Sequence, residues 1–144
     1  MLNQAPYRAA KILVAGANFG CGSSREAAVY VMYDYGIRAV IAPSFGDIHY
    51  GNELQNGMLP VVLPDATVEK LREELHAQPG AQISIDLEVQ TVRGPDGASY
   101  HFEIDPNTRE RLLKGLDDVG LILQNSKGIE AFERRYHVDC PWLA

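Results

Sequence analysis

The chain has 144 residues, 46% of them hydrophobic, with 13 Lys and Arg against 19 Asp and Glu and a formal net charge of −6. That size and apolar content suit one domain with a core of its own. The acidic balance excludes a nucleic-acid surface, which needs clustered cations, and no apolar run approaches the ~20 residues that span a bilayer.

Met1-Leu2-Asn3-Gln4 lacks the charged-then-apolar pattern of a secretion signal. Residues 11–15 read as a short buried strand ended by Gly16. The spacing predicts a helix over 25–35, with Ala28, Val31, Met32 and Tyr35 on one face and Gly36 as its stop. Residues 39–42 form a second apolar strand, and a weakly amphipathic helix over about 46–55 ends at Asn56-Gly57. Residues 60–63 are the third strand. This β-α-β-α-β alternation favours parallel strands joined by helical crossovers, a layout that places ligands on the loops between strand and helix.

The second half changes character. Thr67 is placed to cap a helix with Val68, Leu71 and Leu75 on one face. Ile83, Ile85, Leu87 and Val89 alternate with polar residues, Gly94-Pro95-Asp96-Gly97 is a turn, and Tyr100, Phe102 and Ile104 alternate again, which predicts a β-hairpin. Asp105-Pro106 fits an N-cap and first helical position for a helix stopped by Gly115. Asp117-Asp118 reads as a capping or turn feature. Ile129, Phe132 and Tyr136 give a last amphipathic helix with Ser126 as its expected cap.

The richest chemistry lies in Gly20-Cys21-Gly22-Ser23-Ser24-Arg25-Glu26. Glycines there let the backbone approach a ligand closely. The following helix offers unpaired N–H groups and the positive end of its dipole, so an anion is attracted. Arg25 adds a planar cation suited to a carboxylate. The bland reading is a tight turn in which serine caps the helix. The functional one makes Ser23 a base whose alkoxide is stabilised by these dipoles and a nearby cation. No P-loop or dinucleotide spacing is present, and no Ser-His-Asp pattern surrounds Ser23. Cys21 reads either as a small packing residue or as a reactive thiolate. Cys21 and Cys140 make no disulfide framework, which points to a reducing cytoplasm, and His49, His76, His101 and His137 lack metal-ligand spacing. Asp47, Arg38 and Asn52 surround the second strand-to-helix corner, where ordinary loop roles suffice.

The run from Asn18 to Glu26, the run from Asp34 to Phe45, Asn56-Gly57-Met58-Leu59-Pro60, and Gly115-Leu116-Asp117-Asp118-Val119-Gly120-Leu121 together resemble the 3-isopropylmalate dehydratase small subunits of the aconitase superfamily. The resemblance implies the swivelling β/β/α fold of the aconitase C-terminal domain, with an added β-hairpin. It implies one domain over 1–144, without the N-terminal segment such proteins usually carry. It also implies a hydro-lyase that interconverts 2- and 3-isopropylmalate in leucine biosynthesis, active only with a large subunit that carries a [4Fe–4S] cluster. No cofactor or metal is then expected on this chain. By the same resemblance Ser23 is the catalytic base and Ser24 and Arg25 hold a carboxylate of the small dicarboxylate substrate, while Gly20, Cys21 and Gly22 form the supporting loop. Ala27 stands where the family usually has histidine. Two alternatives are a dehydratase acting on a related diacid, such as citramalate, citraconate or homoaconitate, and a non-catalytic module that binds an anion or a partner.

Overall fold

A computed structural model describes residues 3–5, 7–22 and 25–143. Its centre is a three-stranded parallel sheet of β1 (Ile12–Val14), β2 (Ala39–Ala42) and β3 (Leu59–Val62), ordered β1-β2-β3. Leu13 pairs with Val40 and Val40 with Pro60, so β2 lies between two neighbours and all four of its residues are buried. Pro60 cannot donate to a ladder, and its place on an edge strand leaves no missing bond in the sheet's interior. The crossovers are α1 (Glu26–Tyr35) and α2 (Asp47–Gln55).

Alternation along the strands divides the core into two faces. Ile41 and Val61 pack on one side with Val68 and Leu71 of α3 (Asp65–Ala77), and Ile12 and Val14 lie against that cluster. Val40 faces the other way, toward Val29, Ile37 and Met58, with Leu13 beside them. Helix α1 therefore buries Val29 and turns Val31, 70% exposed, to solvent. The expected apolar face is rotated, because Ala28 and Val31 lie outside while Met32 and Tyr35 reach the cluster. Gly36, at φ +113, closes α1 by donating its N–H to the Met32 and Tyr33 carbonyls, the expected left-handed stop.

The first core cluster continues into an antiparallel sheet, β4 (Ser84–Asp86), β5 (Thr91–Arg93) and β6 (Ser99–His101), through Val92 and Phe102. The hairpin forms around the expected turn, with Gly97 at φ +82 and Asp96 accepting from the Ala98 N–H at 2.8 Å. The long strand expected through Val89 stops at Asp86. Its carboxylate takes the N–H groups of Glu88 and Val89 at 2.9 and 3.1 Å, which turns the chain back and leaves Val89 exposed. A three-stranded sheet results.

Helices α4 (Pro106–Lys114), α5 (Asp118–Leu123) and α6 (Ser126–Asp139) follow. Asp105 caps α4 by accepting from Thr108 N–H at 2.9 Å, and Asp117 caps α5 by accepting from Gly120 N–H at 2.6 Å. Two expected caps fail. Thr67 lies inside the first turn of α3, whose N-cap is Pro64, and Ser126 is the first residue of α6, whose N-cap is Asn125. Phe132 and Tyr136 share a face of α6, stacked with centroids 5.4 Å apart, and both remain exposed. Among the described residues no helix is long and apolar enough to cross a membrane.

Candidate active site

The glycine-rich loop leaves β1 at the end of the sheet where parallel strands present their C-termini. It is held against the loop that leaves β2. Phe19 N–H donates to Ser44 O at 2.9 Å and Gly46 N–H donates to Phe19 O at 2.8 Å, a parallel bridge that carries sheet pairing beyond the strands. Asn18 N–H donates to Ser44 Oγ at 2.8 Å. The Phe19 and Phe45 rings meet edge to face with centroids 6.0 Å apart. A Cβ on Gly46 would lie 3.0 Å from Gly20 O and 3.1 Å from Cys21 Cα, so glycine at 46 permits the two backbones to touch.

Gly20 and Gly22 have φ of +71 and +100, the left-handed geometry that glycine supplies at low cost. Cys21 between them is a free, exposed thiol. Arg25 is the N-cap of α1, extended at φ −131 and ψ 145, and is exposed. The helix thus begins at Glu26, one residue later than expected, with Arg25 in the N-cap position. Glu26 is tied to the end of α2, accepting from Asn56 Nδ2 at 3.2 Å. Ser23 and Ser24 lie outside the described residues.

Beside this corner a cavity of about 340 Å³ is lined by Pro43, Ser44, Phe45, Asp47, Tyr50 and Val62, all from the C-terminal ends of β2 and β3 and the start of α2. Its size suits a small acid. A larger cavity, about 430 Å³, lies beside β1 and the end of α3. No described residue of 20–26 lines either cavity, but the smaller one shares Ser44 and Phe45 with the strap that holds the loop. Asp47 lines this cavity. Arg38 does not. Its Nη1 donates to the Tyr33 and Ile37 carbonyls at 2.7 and 2.8 Å, and its guanidinium lies 3.7 Å from the Tyr33 ring centroid, so it serves the C-terminus of α1.

Sequence reasoning missed His49 and Glu53, the two buried charged or polar residues of the described core. They are four residues apart on α2, with Nε2 3.0 Å from Oε1. Burial pushes the Glu53 carboxyl up to about 8 and the His49 imidazole down. The signal was a His and a Glu at helical i,i+4 spacing on a weakly amphipathic helix. Among the described residues no three His, Cys, Asp or Glu side chains group to hold a metal ion.

Residues 1–66 match the family model described as the aconitase C-terminal domain, and residues 69–106 match one described as LeuD_N. A 3-isopropylmalate dehydratase small subunit of Paramagnetospirillum magneticum is 52% identical over 143 residues, covering 99% of this chain and 71% of that protein. The chain belongs to the family of 3-isopropylmalate dehydratase small subunits. A further small subunit, from Parvibaculum lavamentivorans, is 51% identical with the same coverage. A crystal structure of 3-isopropylmalate dehydratase from Methanocaldococcus jannaschii superposes with a TM-score of 0.60 at 34% identity, covering 85% of this chain and 68% of that one. The family accounts for the aconitase-like α/β fold seen here. The antiparallel sheet, with its three strands, is the added hairpin in enlarged form.

Proposed function

We propose that this chain is the small subunit of a heteromeric 3-isopropylmalate dehydratase, isomerising 2-isopropylmalate to 3-isopropylmalate by loss and readdition of water in leucine biosynthesis. The family membership supports the reaction class. The observation that supports the site is the glycine-rich loop, pinned to the segment after β2 whose Ser44 and Phe45 also line a cavity at the C-terminal ends of the strands, with Arg25 following as the N-cap of α1.

Ser23 is the group that takes the carbon-bound proton from the diacid and returns it at the neighbouring carbon. A serine hydroxyl is a weak base at neutral pH, and dipoles and a cation that favour the alkoxide lower the cost of forming it. Arg25, with its bidentate fork, and the Ser24 hydroxyl hold a substrate carboxylate so that the proton faces Ser23. A [4Fe–4S] cluster on the large subunit would supply a Lewis acid for the departing hydroxyl. Two free cysteines and a biosynthetic role support a cytoplasmic location for the complex.

The test is a complex assembled from this chain and its large subunit and assayed with isopropylmalate. Ser23→Ala should assemble normally and lose roughly 10²–10⁴-fold in kcat, the scale of a positioned acid–base group. Wild-type turnover by Ser23→Ala would remove Ser23 from the chemistry. Turnover of citramalate or homoaconitate in place of isopropylmalate would replace the substrate and keep the reaction class.

A further inference from the structure

We infer that His49 and Glu53 form a positioning pair under the active-site loop: the Glu53 carboxyl fixes the imidazole, and the imidazole fixes Gly20 and the turn that follows it. The inference rests on the reading of Ser23 and Arg25 as the reacting and binding groups, since its consequence for catalysis passes through them.

Three contacts build the relay. The His49 side chain lies directly against Gly20, where a Cβ would fall 2.1 Å from Cγ and 2.4 Å from Cδ2. The same ring meets Phe19 edge to face, with centroids 5.2 Å apart and planes at 76°. Behind it, Nε2 lies 3.0 Å from Glu53 Oε1. Both residues are closed to water, at 3% and 0% exposure; neither Glu53 oxygen has a hydrogen bond to a described residue, and the 3.0 Å approach to Nε2 is a close polar contact outside hydrogen-bond geometry. A buried carboxyl with no other partner is costly to keep unless the contact it makes is used. The contact here sets the ring plane, and the ring is the surface on which Gly20 and Phe19 rest. From Gly20 the chain has only two more residues before Ser23. A shift of about 1 Å in a catalytic group can cost on the order of 10²-fold in rate, so the seat of this turn matters to the chemistry.

At neutral pH the Glu53 carboxyl keeps its proton, because burial disfavours its charge, and Nε2, 3.0 Å from Oε1, is the acceptor the inference assigns to it. A glutamine at 53 preserves a donor to Nε2 through its amide N–H, and a methionine of similar length does not. The pair is therefore tested with Glu53→Gln and Glu53→Met in the full chain, read by amide exchange of Cys21 and Gly22. The assembled dehydratase is read by kcat and KM per mole of complex. Glu53→Met should speed exchange at Cys21 and Gly22 at least tenfold, leave β2 amides unchanged, lower kcat by about 10- to 100-fold and raise KM, since base and carboxylate clamp share one loop. Glu53→Gln should stay within about threefold of wild type in each readout.

Equal impairment by both variants, or unchanged loop exchange in Glu53→Met, overturns the inference. Should Glu53→Met not fold, the ¹⁵N resonances of His49 in the wild-type chain decide. A proton shared between Nε2 and Glu53 is expected, and the shifts of a free imidazole overturn the pairing. The exchange and nitrogen measurements need no turnover, so an inactive wild-type complex would remove the dehydratase reading and leave this inference to its own result.

Discussion

An alanine at position 20 faces two obstacles, and one at position 22 only the first. Both glycines have positive φ, so either substitution meets backbone strain of about 1 kcal/mol. At Gly20 the added methyl also overlaps the His49 ring, which cannot retreat because it is buried against Phe19 and Glu53. Overpacking of that kind adds roughly 1–3 kcal/mol. At Gly22 no atom lies within 4 Å of the new Cβ. Gly20→Ala should therefore destabilise the chain by about 2–4 kcal/mol in urea unfolding, and Gly22→Ala by about 1 kcal/mol. Equal losses would mean that the loop is not seated on the imidazole. The pair of glycines was legible as a turn from sequence. That one of them is a packing contact was not, because its partner stands 29 positions along the chain.

Helix α3 is the element that binds the two sheets into one core, and Leu71 is its centre. It is fully buried in a cluster that joins Ile41 and Val61 of the parallel sheet to Val92 and Phe102 on the antiparallel side. Leu71→Ala should cost about 2–5 kcal/mol in urea unfolding, the range for a truncated core leucine. Val31→Ala on α1 should stay within about 0.5 kcal/mol, because that side chain is mostly in water. A large loss at Val31 would restore the apolar face expected from spacing alone. The contrast shows what patterning can and cannot decide. Three strands and the helices between them were legible because short apolar runs bounded by glycine and proline have few alternatives. The face of α1 was not, since valine or alanine occupies both candidate stripes and only contact with β2 chooses Val29. The break after β4 was hidden as well. Asp86 fits the polar side of an alternating strand, and its role as acceptor for two backbone N–H groups appears only once the chain has turned. The motif around Ser23 was legible from its glycines and Arg25, whereas the buried His49–Glu53 pair looked like one more scattered histidine.

The buried pair also gives the whole molecule a pH signature. Unfolded, Glu53 titrates near 4.5 and His49 near 6.5; folded, burial moves the first up to about 8 and the second down. Below 6.5 the unfolded histidine gains a proton, while the folded pair keeps the one on Glu53 and burial makes the imidazole resist a second. Above 6.5 the unfolded chain releases that proton and the folded pair retains its own up to about 8. Stability falls as pH rises through this window, by at most about 1.4 kcal/mol per unit. The exposed carboxylates work in the opposite range. Asp96, Asp105 and Glu110 are held below their ordinary values by hydrogen bonds from Lys70, the Thr108 N–H and Lys114, so their stabilisation is lost only as pH drops into the acid region. Urea unfolding at pH 6.5 and 8 should accordingly show a lower midpoint at the second. In Glu53→Gln the loss between 6.5 and 8 should vanish. The acid limb should begin instead below 6.5, where the unfolded histidine gains a proton that the buried one resists. A wild-type midpoint that stays level from pH 6.5 to 8 would show that no proton is held between these side chains.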